Sequence, residues 1–301
     1  MELTETKIAP AVKIKNLLFA TDFSAASEAA FPFAVAISRR YASTLHVAHV
    51  LPLDGLIVSS ASLEPAWVGM AYETVHTVAE NKMHELAERL GDLPHETWVC
   101  SGERWEALST VISVKQIDFL VAGTHGRTGV SKFVMGSCAE EILRKAPCPV
   151  LTVGPYVTGE PAPGNAGIRL RNVVYATDFT ACAQAAGPMA FSLAREFQAQ
   201  LTLLHVIEGH AEPKHQQIQS AKRRLEEMVS EHEELTSPTS LLVEHGSAAE
   251  RILDVAAEQH ADLIVLGIRP HEHIGTVTHL PWSTIPRVVA SANCPVLTVR
   301  G

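Results

Sequence analysis

The residues best suited to chemistry in this 301-residue chain lie between positions 123 and 139. There the sequence reads Gly123-Thr124-His125-Gly126-Arg127, and after further residues Gly136-Ser137-Cys138-Ala139, a Gly-x2-Gly-x9-Gly-Ser spacing. Glycine leaves main-chain amides uncovered, so they can approach an anion, and it tolerates positive φ. Gly136-Ser137 would open a helix, where unpaired N–H groups and the helix dipole favour a phosphate. Ser137 adds a hydroxyl donor, Arg127 a charge, and His125 a neighbour to the ligand. Glycines after a strand ordinarily make turns. The Gly-Ser at a helix start turns the reading towards anion binding. No Walker A sequence is present, and no Gly-x-Gly-x-x-Gly follows a strand, so neither a P-loop ATPase nor a dehydrogenase-type dinucleotide site is supported. No nucleophile–base pair, triad or carboxylate dyad appears, so no catalytic residue and no metal ligand is assigned.

The elements that must position this loop come in two copies. Residues 16–51 align without gaps to residues 172–207, with 14 identities in 36 positions, against about 2 expected from ordinary composition. Both copies carry Ala-Thr-Asp-Phe (Ala20, Thr21, Asp22 and Phe23; 176–179) and end in His-Val (His49-Val50; His205-Val206). Cys-Pro-Val-Leu-Thr-Val recurs from Cys148 and from Cys294. Residues 158–167 are rich in Gly, Pro and Ala and read as a linker, giving domains at 1–157 and 168–301.

In copy one the apolar runs predict strands at 15–20, 44–50, 96–100, 118–122 and 150–153. Longer periodic stretches predict helices at 25–40, 67–90, 105–116 and 137–145. Copy two follows the same order, its long helix spanning 214–235. Alternation of this kind implies right-handed crossovers and a doubly wound parallel α/β sheet. Ligands of such sheets sit beyond the carboxyl ends of the strands, at the switch point. The loops after strands one and four are therefore the ones to interrogate, which places Asp22 across the crevice from the glycine loop.

Composition narrows the partners. Hydrophobic residues make up 47% and charged residues 19%, enough apolar content for a core in each half, and the formal net charge is −9. A net acidic chain argues against general nucleic-acid or anionic-membrane binding, and no stretch approaches 18 uninterrupted apolar residues. Five cysteines without a CxxC pair, and no apolar leader in residues 1–16, read as reduced thiols in the cytoplasm.

Taken together, the Ala-Thr-Asp-Phe turn, the His-Val strand, the Gly-x2-Gly-x9-Gly-Ser loop and the Cys-Pro-Val-Leu-Thr-Val strand resemble the universal stress protein family in its tandem form, over nearly the whole chain. The resemblance implies Rossmann-like domains, each with a five-stranded parallel sheet in the order 3-2-1-4-5 and helices on both faces. It implies ATP as ligand, with Mg2+ or Mn2+ accompanying the phosphates. By that resemblance Ala20, Thr21, Asp22 and the backbone of Val50 meet the nucleoside, and Ala122 and Gly123 flank the ribose. Gly126, Arg127, Gly136, Ser137, Cys138 and Ala139 line the phosphates, with His125 beside them. It also implies pairing of the two domains through their last strands, or a homodimer. The function expected is an ATP-binding regulatory protein of the stress response. Slow ATP hydrolysis or autophosphorylation on Ser137 or Thr128 stands as an alternative. So does a pseudo-dimer scaffold for an unidentified protein partner.

Copy two departs from the pattern. Gly267 remains, but Pro270 stands at the Gly126 position, without an N–H and with φ fixed. Trp282 falls at the Gly136 position, where an indole would fill phosphate space. Nucleotide is therefore expected in the N-terminal domain only. His271, His273 and His279 crowd the altered loop, more as a polar loop than as a metal site. His49 and His205 read as sheet-end histidines, and the cysteines as small hydrophobes. Cys138, at a helix start, is where a thiol pKa can fall. Residues 56–70 are apolar and would either cap the pocket or form a partner surface.

Overall fold

The computed structural model describes residues 12–51, 65–124, 135–157, 168–209, 211–232, 238–269 and 284–301, with backbone alone for 65–68. It divides into two compact units, one built chiefly within 14–168 and one chiefly within 169–301.

The N-terminal unit contains β1 (Asn16–Ala20), α1 (Ala25–Tyr41), β2 (Thr44–Leu51), α2 (Pro65–Leu90), β3 (His95–Ser101), α3 (Arg104–Val114), β4 (Phe119–Gly123), α4 (Ser137–Lys145) and β5 (Val150–Val153). Its strands are parallel and run β3-β2-β1-β4-β5. The C-terminal unit contains β6 (Asn172–Ala176), α5 (Ala181–Ala185), α6 (Gly187–Phe197), β7 (Gln200–Ile207), α7 (His215–Ser230), β8 (Thr239–His245), α8 (Ala248–Glu258), β9 (Leu263–Ile268), α9 (Thr284–Ser291) and β10 (Val296–Arg300). Its order, β8-β7-β6-β9-β10, is the same 3-2-1-4-5 arrangement. The central strands are covered on both faces, as their continuous apolar runs require. Leu17, Leu18, Phe19, Leu120 and Val121 are 0% exposed, as are Val174, Tyr175, Ile264 and Val265 in the second unit.

One expected helix is two. Where α1 runs unbroken through Pro32, the second copy stops at Ala185 and restarts at Gly187. Two residues account for this. Pro188 has no N–H to continue the ladder, as Pro32 also lacks. In addition Tyr175 stands where copy one has Phe19. Its hydroxyl donates to the Ala183 carbonyl at 2.6 Å, and Ala186 N donates to the same oxygen at 3.1 Å, tightening the turn.

The glycine that ends the fourth strand has a packing reason in both copies. A Cβ on Gly123 would lie 2.6 Å from the backbone carbon and oxygen of Ala26 in α1. One on Gly267 would strike the backbone of Cys182 and Ala183 in α5. The helix that follows strand one lies directly on the end of strand four, and only a residue without a side chain fits between them. Gly123→Ala should therefore destabilise the N-terminal unit by about 1–3 kcal/mol. Gly69→Ala in α2, where a Cβ meets nothing within 4 Å, should be neutral or stabilising by up to about 1 kcal/mol. Denaturant unfolding of the two variants checks this pair; equal effects would refute the packing account.

Candidate functional site

The site begins where β1 stops. Thr21 N donates to Ala48 O at 2.9 Å, the last bond between the β1 and β2 segments. The chain then turns through Phe23, at φ 58°, a left-handed conformation that is costly for a bulky residue. Three side chains hold it there. Thr21 Oγ1 accepts from Phe23 N at 3.0 Å. Asp22 Oδ1 accepts from Ser24 N at 3.0 Å and from Ser27 Oγ at 3.1 Å. His49 Nδ1 donates to the Thr21 carbonyl at 2.8 Å, while its ring lies 4.4 Å from that of Phe23. Because a carbonyl only accepts, this bond fixes the proton on Nδ1. Lys82 of α2 sits 5.5 Å above the Phe23 ring. Ser24 then caps α1, accepting from Ser27 N.

The second unit repeats this construction. Phe179 has φ 62°, Thr177 Oγ1 accepts from Phe179 N, and Asp178 Oδ1 accepts from Thr180 N. His205 Nδ1 donates to Thr177 O at 2.8 Å, its ring is 4.3 Å from Phe179, and Arg224 covers that ring at 4.1 Å. Burial holds the His205 imidazole below its ordinary pKa, with the Arg224 charge acting the same way, so the neutral ring makes this bond at pH 7.

In the N-terminal unit the turn forms one wall of a cavity of about 300 Å³. That is the lower end of the range for small-molecule sites, roughly 300–1,000 Å³. From the β1 turn come Ala20, Thr21 and Asp22, with Ser27 of α1. From β2 come Ala48, His49 and Val50, and from β4 and its end Ala122, Gly123 and Thr124. Helix α3 supplies Arg104 and Leu108, and the start of α4 supplies Gly136, Ser137, Cys138, Ala139 and Ile142.

Two backbone features make the cavity polar. Thr44 N bonds back to Lys15, and Ala48 O accepts from Thr21, so even-numbered residues of β2 face β1. Val50 belongs to that set, and its peptide edge faces the space β1 has left. At α4, Gly136 is the N-cap and offers no side-chain cap; the first intrahelical bond runs from Glu140 N to Gly136 O. The N–H groups of Ser137, Cys138 and Ala139 have no hydrogen-bond partner among the described residues. Such amides, at the positive end of the helix dipole, form an anion site.

The universal stress protein family model matches residues 13–154 and again 169–300. The chain belongs to this family. Among curated relatives it is 27% identical over 141 residues to a universal stress protein of Methanocaldococcus jannaschii, covering 46% of this chain and 81% of that one. It is 30% identical over 145 residues to a putative universal stress protein of Staphylococcus aureus, covering 47% and 85%. Two solved structures match in fold across both units. One is a universal stress protein of Archaeoglobus fulgidus (TM-score 0.67, 19% identity, 95% of this chain and 98% of that one). The other is a putative universal stress protein of Pseudomonas aeruginosa (TM-score 0.61, 17% identity, 95% and 93%).

In this member of the family the described residues expected at the site, namely Ala20, Thr21, Asp22, Val50, Ala122, Gly123, Gly136, Ser137, Cys138 and Ala139, all line the one cavity. His125, Gly126, Arg127 and Thr128 lie outside the described residues, as do Pro270, Trp282 and the histidines at 271, 273 and 279. Residues 56–64 are outside them as well. Arg104 and His49 were missed as lining residues. The sequence signal for Arg104 was its place just after strand three, whose carboxyl end opens on the same crevice as those of strands one and four.

Three expectations change. Gly136 has φ −64°, so its value lies in the missing side chain and not in positive φ. Gly123 is needed for helix packing, as shown above. The Cys138 thiol is not activated: burial pushes it up to about 11, outweighing the opposing charge of Arg104. With the folded pKa above the usual thiol value, the thiolate is scarce at neutral pH. Alkylation of Cys138, followed peptide by peptide, should be far slower at pH 7.5 than that of a free thiol, and should accelerate only well above pH 9. A fast reaction at pH 7.5 would show that the dipole outweighs burial. Among the described residues no helix is long and apolar enough to cross a membrane.

Proposed function

We propose that the N-terminal unit binds ATP in this cavity, and that the chain works in the cytoplasm as a nucleotide-loaded regulatory protein of the stress response, acting through a protein partner. The observation that carries the reading is the pairing of two open backbone edges across one cavity, Val50 on one side and the first turn of α4 on the other. The first suits the donor and acceptor edge of a purine. The second suits phosphate oxygens, with the Ser137 hydroxyl adding a donor.

The residues present fit the ligand's chemistry. Gly136 presents no side chain beside the α4 amides, and Asp22 lines the cavity near the β1 turn, in place for a ribose hydroxyl. Among the described residues no group of three or more His, Cys, Asp or Glu could hold a metal ion. A divalent ion in this reading is held chiefly by the phosphates, as Mg2+ usually is, with at most one or two carboxylates. Asp22 Oδ1 accepts two hydrogen bonds within the turn, and His49 spends its Nδ1 proton on Thr21. Both groups serve the turn, which favours a binding role over general-base catalysis.

The C-terminal unit keeps the turn and is proposed not to bind. Asp178 there is 59% exposed and lies 3.9 Å from Arg269, the residue that follows Ile268 at the end of β9. The substitutions read from sequence, Pro270 and Trp282, add to this.

Nucleotide released by denaturing the purified chain, identified by chromatography, should be adenine nucleotide, and titration of the stripped chain should give one ATP site per chain. Gly136→Trp should weaken ATP binding at least a hundredfold. Because the Gly136 backbone (φ −64°, ψ 145°) is open to any L-residue, this variant tests space and not backbone strain. Two equivalent sites, or unchanged affinity in Gly136→Trp, would refute the assignment.

A further inference from the structure

We infer that Arg104 is the residue by which the cavity reads the charge of the phosphate chain. This rests on the proposed nucleotide site and names a specificity-determining residue within it. Arg104 is the first residue of α3 and lines the cavity together with Ser137, Cys138 and Ala139. It is half-buried, and among the described residues it makes no ion pair. The acid beside it, Glu103, is spent on capping: its Oε2 accepts from Glu106 N at 2.8 Å. The other cation of this region, Lys145, is paired with Glu141 at 2.7 Å.

A guanidinium at the first position of a helix stands at the wrong end of the dipole, where cations are disfavoured and anions favoured. Here a second helix, α4, opens its uncapped N-terminus on the same cavity. One uncapped helix end and an arginine without an ion pair among the described residues therefore share one small space, an arrangement that an entering anion would relieve. Arginine's planar fork suits phosphate oxygens and makes charge-assisted bonds of the stronger kind.

The second copy supplies the contrast. Gly102 and Gly246, at φ 123° and 129°, precede the caps Glu103 and Ser247, and the 11-residue helices α3 and α8 follow. This register sets Arg104 against Ala248, and buried Leu108 against buried Ile252. The fold needs no arginine there, since α8 starts from alanine.

The test is calorimetric titration of the full chain and of Arg104→Ala with ATP, ADP, AMP and adenosine. Arg104→Ala should weaken ATP binding by about 10- to 100-fold, the range for a lost charge-assisted bond to phosphate. Adenosine affinity should stay within about twofold, and the loss should grow with the number of phosphates. Arg104→Lys, which keeps the charge without the fork, should recover part of the ATP affinity. Ligand-free Arg104→Ala should unfold at the same or a higher temperature, because a cation has been removed from a positive helix end. Equal losses for ATP and adenosine, no loss for either, or a ligand-free variant that unfolds several degrees lower would overturn the assignment while leaving the nucleotide site standing. A native chain that binds none of the four ligands would remove the site itself, and this inference with it.

Discussion

A parallel strand that stops earlier than its neighbour leaves peptide groups facing nothing, and this site is built on that constraint. β2 continues to Leu51 while β1 ends at Ala20 and makes its last bond through Thr21. The peptide edge of Val50 then faces open space. On the other side of β1, the chain leaving β4 runs towards a helix whose first amides lack a cap among the described residues. Main-chain groups of this kind must find water or a ligand, because an unpaired buried N–H or C=O costs about as much as a lost hydrogen bond. The crevice at the switch point is thus polar because of backbone topology, and side chains refine what topology begins.

The two copies separate what the fold requires from what the ligand would require. Both keep the threonine that accepts from the left-handed phenylalanine, the aspartate that ties the turn, the histidine donating to the threonine carbonyl, and a cation over the ring. Each of these contacts closes within its own unit, without a ligand. The Ala-Thr-Asp-Phe motif, which looks functional in the sequence, is therefore first a device for turning the chain from strand to helix over a glycine. Arg104, which stands against Ala248, has no such part in the turn, and the second copy forms its helix without it.

Much of this was legible in the sequence because a short continuous apolar run and a longer helical run leave different patterns, and a repeat shows each pattern twice. The strand positions and the N-terminal boundary of α4 at Ser137 were readable on that basis, whereas the strand order came from the family resemblance. The splitting of the second copy's first helix was not, because it depends on a hydroxyl, that of Tyr175, reaching a carbonyl eight residues away in sequence. Arg104 escaped notice because attention to loops after strands one and four passed over the third, whose crossover also starts from the carboxyl end of the sheet. Cys138 behaves as the small hydrophobe the sequence suggested, because burial, which a helix-start position does not reveal, sets its thiol.

Charge at this site is a local matter. A chain of net charge −9 opposes the approach of a polyanion, yet charges beyond the Debye length, about 8 Å at physiological ionic strength, are largely screened. A phosphate chain entering the proposed site would meet the first turn of α4, the first turn of α3 and one guanidinium. The partial charge of about half a unit at the α4 end, added to one guanidinium, faces one lining carboxylate, Asp22, whose Oδ1 already accepts from Ser24 N and Ser27 Oγ; the α3 end is already capped by Glu103. The second copy retains a helix start at that position but no guanidinium, and its Asp178 lies close to Arg269. The difference between the units at this helix start follows from a few residues set on one fold.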